Sequence, residues 1–127
     1  MTAPAAFDTP HPITAKVELA RGTLQVVASD RSDTVVAVLP RDEAKALDVR
    51  TAERTRVSYS KGVLSVLSSQ GITFRTGTID ILIELPRQSI LDIAVASAAV
   101  RADGDYADVR FQSSSGELVI DAINGAI

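Results

Sequence analysis

Cysteine is absent from this chain of 127 residues, and histidine occurs once. Without cysteine the chain has no disulfides, no thiolate metal ligands and no cysteine nucleophile. A single imidazole also excludes the usual zinc-binding sets. That histidine, His11, lies between Pro10 and Pro12, and we interpret it as a solvated loop residue rather than a general acid or base. We therefore expect no catalytic residues, no metal site and no cofactor, and we predict that the chain is not an enzyme.

Clustered positive charge and long apolar runs are absent as well. The 13 basic residues are interspersed among 16 acidic ones, so no basic stripe is available to neutralise nucleic-acid phosphates. No apolar run approaches the roughly 20 residues that a membrane-spanning helix needs. Residues 1–12 lack the basic and apolar regions of a secretory signal. We expect a cytoplasmic protein that binds neither nucleic acid nor membrane.

The apolar residues that are present favour β-structure. They make up 46% of the chain, yet only three are Phe, two are Tyr and none is Trp, so Val, Ile, Leu and Ala must fill the core. Alternation of apolar and polar residues predicts strands at 13–19, 23–28, 34–39, 47–51, 56–59, 63–67 and 78–85. Residues 42–46 suit a single helical turn. We predict one all-β domain over residues 1–127, with 1–12 as an extended lead-in.

Two hairpins are predicted in the first part of this domain. Arg21-Gly22 supplies the turn of the first, between residues 13–19 and 23–28. Ser60-Lys61-Gly62 supplies the second, as a three-residue connection whose glycine forms a bulge. Residues 13–89 are therefore predicted to be a hairpin-rich β portion.

From Ile90 onward the chain repeats itself at an offset of 18 residues. The offset places Ser97 over Ser115, Ala98 over Gly116, Val100 over Leu118, Ala102 over Ile120, Asp103 over Asp121, Ala107 over Gly125 and Val109 over Ile127. A fixed period of this size is typical of a solenoid, in which each turn buries its apolar face against the next turn. We predict that residues 90–127 begin a β-solenoid that stops before a cap. The alternative is two hairpins of a β-sandwich.

Several segments resemble the actinobacterial putative-adhesin proteins, a β-strand-repeat family of unknown function. The resemblance rests on residues 7–13, 22–26, 28–36, 48–49, 52–57, 81–86, 102–109 and the Ser-Ser-Ser-Gly-Glu corner at 113–117. It implies a coiled, solenoid-like β-architecture and says almost nothing about activity.

The segment 117–127 is apolar and rich in β-forming residues, and no cap follows it. An unpaired strand edge invites another chain to pair with it. We predict a non-catalytic structural or interaction module that self-associates through this end, with Leu118, Ile120, Ile123 and Ile127 at the contact. The strand would be covered by a second copy in a homo-oligomer or by a protein partner. An alternative is that this chain is a fragment of a longer protein whose missing half covers the strand.

A second functional hypothesis is an adhesin-like module that binds a ligand or a surface. Asp103, Asp105 and Asp108 surround Gly104 and could offer oxygen ligands to calcium. Their spacing matches no EF-hand loop and lacks the glycine-rich nonapeptide of calcium-binding β-rolls, so aspartates that form a corner are the favoured interpretation. An enzyme of the carbohydrate-active β-helix type is a third hypothesis, for which the chain is too short to present a convincing face.

Overall fold

The computed structural model describes residues 4–68 and 77–121, with the backbone alone from 114 onward. Its elements are β1 (Ala5–Asp8), β2 (Thr14–Ser29), β3 (Asp33–Pro40), α1 (Ala46–Arg54), β4 (Arg56–Ser60), β5 (Val63–Leu67), β6 (Ile79–Pro86), β7 (Ser89–Asp103) and β8 (Tyr106–Asp121). The predicted all-β class is confirmed, and residues 5–8 of the lead-in form β1.

The strands form one nearly closed, mixed sheet of eight strands, so the sandwich alternative is not needed. The sheet order is β1-β3-β6-β2-β5-β4, and β7 lies between β2 and β8. Strands β5, β6 and β7 pair in parallel with β2, and β8 pairs in parallel with β7. The pairs β1–β3, β3–β6 and β4–β5 are antiparallel.

The predicted hairpin around Arg21-Gly22 is wrong, because residues 14–29 form the single strand β2. Its first part pairs with β5 and its second part with β6, while its other edge pairs with β7. Gly22, at φ +137°, bends the strand without reversing it. The inward-facing positions change there from odd to even numbers, from Leu19 to Leu24. Parallel pairing is thus not confined to residues after Ile90.

The 18-residue repeat is confirmed as the pairing register of β7 and β8. Ser97 lies opposite Ser115, Val100 opposite Leu118, and Asp103 opposite Asp121. A parallel pair with this register aligns like residues, because from Ile90 onward each paired position i of β7 faces position i+18 of β8. The predicted matches that involve Gly125 and Ile127 lie outside the described residues.

The pairing at the start of β7 requires this strand to fold back on itself. Ser89 at its start pairs with Tyr106, and only Gly104 and Asp105 separate Tyr106 from Asp103 at its end. Three residues span at most about 11 Å, whereas a straight strand of this length would span about 46 Å. The strand bends at Ala96 and Ser97, two successive exposed residues. β7 therefore makes one turn of a coil; a solenoid shape for the whole domain stays a prediction.

Residues 42–51 differ from the prediction, which had a helical turn followed by a strand. Helix α1 occupies 46–54 instead and packs against β3 and β6. Buried Asp48 accepts a hydrogen bond from the Thr78 N–H at 2.8 Å, and the Gly77 N–H donates to Thr51 Oγ1 at 2.8 Å. These contacts with a distant segment fix the helix, and Ala52 reaches the core.

The hairpin of β4 and β5 is confirmed, but its turn is shorter than predicted. Ser60 pairs with Val63, so the turn consists of Lys61 and Gly62 alone, at φ 51° and 79°. Two successive residues with positive φ define a type I′ turn, whose twist matches that of the flanking strands.

The core lies on the inner face of the nearly closed sheet and consists mainly of aliphatic side chains. The alternation predicted for β6 is confirmed, since Ile79, Ile81, Ile83 and Leu85 are all buried. Tyr106 is completely buried, and its hydroxyl donates to the carbonyl oxygens of Val26 and Asp103 at 3.0 and 2.6 Å. Its ring holds the β7–β8 connection against β2.

Candidate functional site

The outer edge of β8 is the longest strand edge that has no neighbour among the described residues. β8 runs for 16 residues and pairs with β7 along one side. Within the described ranges, 4–68 and 77–121, no strand pairs with its other side. Unpaired N–H and C=O groups along such an edge are ready to bond to another strand.

The hydrogen-bond pattern identifies which groups of β8 face this edge. The Ile90 N–H donates to the Ile13 carbonyl at 2.8 Å, so the even-numbered residues of this part of β7 bond to β2. The odd-numbered residues, such as Leu91, must bond to β8, because successive residues of a strand direct their backbone groups to opposite sides. Leu91 pairs with Val109. In a parallel pair, the backbone groups of Leu91 bond to the residues on either side of Val109, so the N–H and C=O groups of residues 108, 110 and 112 bond to β7. Val109 and Phe111 direct their N–H and C=O groups to the outer edge.

The opposite end of the sheet is covered differently. Its outermost strands, β1 and β4, have four and five residues. The rings of Phe7 on β1 and Tyr59 on β4 lie 5.6 Å apart, centroid to centroid. α1 packs against β3 and β6 at their ends near Pro40 and Ile79. The two ends are therefore unlike, with short edges at one and the long edge of β8 at the other.

The structure places two of the four predicted contact residues. Leu118 and Ile120 belong to β8 and lie opposite Val100 and Ala102, both of which are buried. The backbone alone is described at these two positions. Ile123 and Ile127 lie outside the described residues.

The three aspartates near Gly104 do not come together as a set of calcium ligands. Each has an arginine partner: Asp103 pairs with Arg101, Asp105 with Arg87, and Asp108 with Arg110. Over residues 4–68 and 77–113, whose side chains are described, no three His, Asp or Glu side chains form a group that could hold a metal ion. His11 is exposed in the bend after β1. The aspartates are thus explained by ion pairs at a corner of the coil.

Ion pairs between strands are a feature that the sequence did not indicate. Arg41 donates to both carboxylate oxygens of Asp80, with the shortest distance 2.7 Å, and the Thr23 hydroxyl donates to the same carboxylate at 2.6 Å. Burial alone would raise the pKa of Asp80, but these hydrogen bonds lower it overall. Arg31 bridges Asp33 and Glu84, and its hydrogen bond holds the pKa of Asp33 below the usual value.

A polar cleft of about 320 Å³ lies where β2 bends at Gly22 and β7 bends at Ser97. Arg21, Gly22, Arg41, Thr78 and Ser97 line it. Gly22 pairs with Ile79 on one side and Ala98 on the other, and Arg21 pairs with Ser97, so the sheet itself brings these residues together. They are far apart in the chain, and no local motif marks them.

Comparisons with known proteins give little further information. No family model matches the chain, and no curated protein matches it in sequence. The crystal structure of a putative cell adhesion protein from Clostridium sporogenes is similar, with a TM-score of 0.45 and 8% identity over 96% of this chain and 99% of that one. A likeness this distant says nothing of what this chain does. The resemblance to the actinobacterial family stays a prediction.

The part of the chain that the structure describes contains no helix with the length and hydropathy that a bilayer crossing needs. The cytoplasmic location stays a prediction.

Proposed function

We propose that this chain is a non-catalytic structural or interaction module that pairs with a second copy of itself through the outer edge of β8. The observation that carries the proposal is the one-sided pairing of β8, whose Val109 and Phe111 backbone groups face away from β7. A long edge of this kind is normally paired, covered or interrupted by charge or proline.

The partner edge that fits best is β8 of the second copy. The opposite end of the sheet offers only β1 and β4, which are short and lie beside α1 and the Phe7–Tyr59 contact. Two copies of β8 related by a twofold axis run antiparallel, and each edge then supplies both donors and acceptors. Such a contact is closed, so we expect a dimer rather than a filament.

Two substitutions at Phe111 test the proposal. Phe111→Pro and Phe111→Ala both remove the partly buried ring, but only proline also removes the N–H that faces the edge. We expect the native chain and Phe111→Ala to form dimers, with twice the 13.4 kDa mass of one chain. In Phe111→Pro two hydrogen bonds are lost per dimer, which weakens association about tenfold or more.

Light scattering and sedimentation equilibrium over a range of protein concentrations measure the masses. Circular dichroism confirms that both variants fold. A native chain that stays monomeric at high concentration contradicts the proposal, and so does equal association of Phe111→Pro and Phe111→Ala.

The calcium-dependent form of an adhesin-like function is not proposed. Arg101, Arg87 and Arg110 already neutralise the three aspartates on which it depended. A thermal unfolding scan with and without calcium checks this point, and we expect no shift of the midpoint.

A further inference from the structure

The cleft beside Gly22 and Ser97 is lined by residues whose side chains are hydrogen-bond donors. Arg21 immediately precedes Gly22, where β2 bends; Arg41 follows β3, and Thr78 precedes β6. Ser97, on β7, pairs with Arg21 of β2. The volume of about 320 Å³ is roughly ten times the share of one water molecule in the liquid, so a polyatomic group fits there.

Much of the donor capacity of these side chains is unused. Arg21 is exposed and makes no hydrogen bond or ion pair with any described residue. Arg41 uses Nε and Nη2 on Asp80, which leaves Nη1 without a partner among residues 4–68 and 77–113. Within the same ranges, the hydroxyls of Thr78 and Ser97 have no hydrogen-bond partner. The residues that line this one cleft thus carry two guanidinium groups and two hydroxyls.

Two carboxylates lie close to residues that line the cleft: Asp80, and Asp48, which accepts a hydrogen bond from the Thr78 N–H and interacts electrostatically with Arg41. Asp80 is bound by Arg41 and Thr23, and the hydrogen bonds from these two residues occupy its oxygens. Arg21 adds a guanidinium group that has no hydrogen-bond or ion-pair partner among the described residues. Guanidinium groups bind oxyanions through paired, charge-assisted hydrogen bonds, and they do so with little reorganisation.

We propose that this cleft binds a tetrahedral oxyanion, the phosphate or sulfate group of an ester. A group with three terminal oxygens can accept from Arg21, from Arg41 Nη1 and from the hydroxyls of Thr78 and Ser97. A planar carboxylate has two oxygens and satisfies fewer of these donors. The site is separate from the edge of β8, so its test does not depend on whether the chain dimerises.

Binding is measured by nuclear magnetic resonance of the amide groups of Gly22, Thr78 and Ser97 during titration with phenyl phosphate and, separately, phenyl sulfate. The ionic strength is held constant with sodium chloride, because exposed charges are screened. We expect saturable shifts with a dissociation constant on the order of 1 mM. Acetate, titrated in the same way, should bind more weakly.

Two arginine substitutions provide the matched comparison. Arg21→Gln removes the cleft guanidinium that has no structural contact, and we expect it to weaken binding about tenfold. Arg56→Gln removes an arginine on β4 that is also exposed and without a described partner, but it lies away from the cleft. This control should bind like the native chain.

The ester that binds more tightly identifies the source of the oxyanion. Shifts that rise linearly with both esters overturn the proposal, because they show no defined site. Equal binding by the Arg21→Gln variant and the native chain also overturns it.

Discussion

Gly22→Ala is the substitution that most sharply tests the parallel arrangement of β2. At this position an added Cβ would lie 1.7 Å from the Ile79 carbonyl oxygen, whereas carbon and oxygen normally approach to about 3.3 Å. β2 and β6 would have to separate by about 1.6 Å, a third of the usual spacing of neighbouring strands. The residue also has φ +137°, which is unfavourable for alanine. We expect the free energy of unfolding to fall by at least about 3 kcal/mol.

Gly62→Ala is the matched control. Gly62 also has a positive φ, of 79°, but an added Cβ there meets nothing within 4 Å. Only the backbone strain applies, so we expect a loss of about 1 kcal/mol. Urea unfolding followed by circular dichroism measures both changes. If the two variants lose the same stability, Gly22 is not held between β6 and β7, and a simple hairpin turn at residues 21–22 would explain the result.

Three further predictions concern polar contacts. The pKa of Asp80 is lower in the folded chain than in the unfolded chain, so the unfolded chain binds more protons as the pH falls. The free energy of unfolding should therefore decrease below about pH 4. The decrease should be less steep in Asp80→Asn. Burial raises the pKa of the Tyr106 hydroxyl, so the free energy of unfolding should fall as the pH rises above about 10. Tyr106→Phe should remove that pH dependence and lower the free energy of unfolding by about 1–2 kcal/mol near neutral pH. Asp48→Ala leaves the Thr78 N–H without its acceptor and should cost about 1–3 kcal/mol.

Urea unfolding at a series of pH values measures all three changes. Identical acid profiles for Asp80→Asn and the native chain would contradict the first. An unchanged alkaline decline in Tyr106→Phe would contradict the second. A fully stable Asp48→Ala would show that the contact with Thr78 is not needed to fix α1.

The parts of the fold that the sequence predicts are those with a local or a repeated signal. The β4–β5 hairpin is recognisable because Lys61-Gly62 sits between two alternating segments. The β7–β8 pair is recognisable because a parallel register of constant offset places Ser97 beside Ser115 and Ala98 beside Gly116. In both cases neighbours in space can be inferred from the residue types alone.

The errors occurred where distant segments decide the structure. A glycine between two alternating segments gives the same sequence pattern whether it reverses the chain in a hairpin or bends a single strand. At Gly22 the chain continues as one strand because β6 and β7 pair with it on either side. Residues 47–51 alternate by composition, yet Asp48 and Thr51 bind Thr78 and Gly77 and hold a helix there. Neither partner could be identified from local sequence.

The same distinction applies to the candidate sites. The edge of β8 overlaps the apolar segment 117–127 that the sequence indicated, although the residues whose backbone faces outward follow only from the hydrogen-bond pattern. The cleft was not predictable, because Arg21, Arg41, Thr78 and Ser97 come from four different parts of the chain.

Hydrogen exchange of the β8 amides at low and high protein concentration tests the central claim most directly. The N–H groups of Arg110 and Gln112 bond to β7 and should be protected at every concentration. Those of Val109 and Phe111 face the outer edge and should exchange rapidly in dilute solution but slowly in concentrated solution, as two copies of β8 pair. Protection of Val109 and Phe111 that does not change with concentration would contradict the proposed self-association.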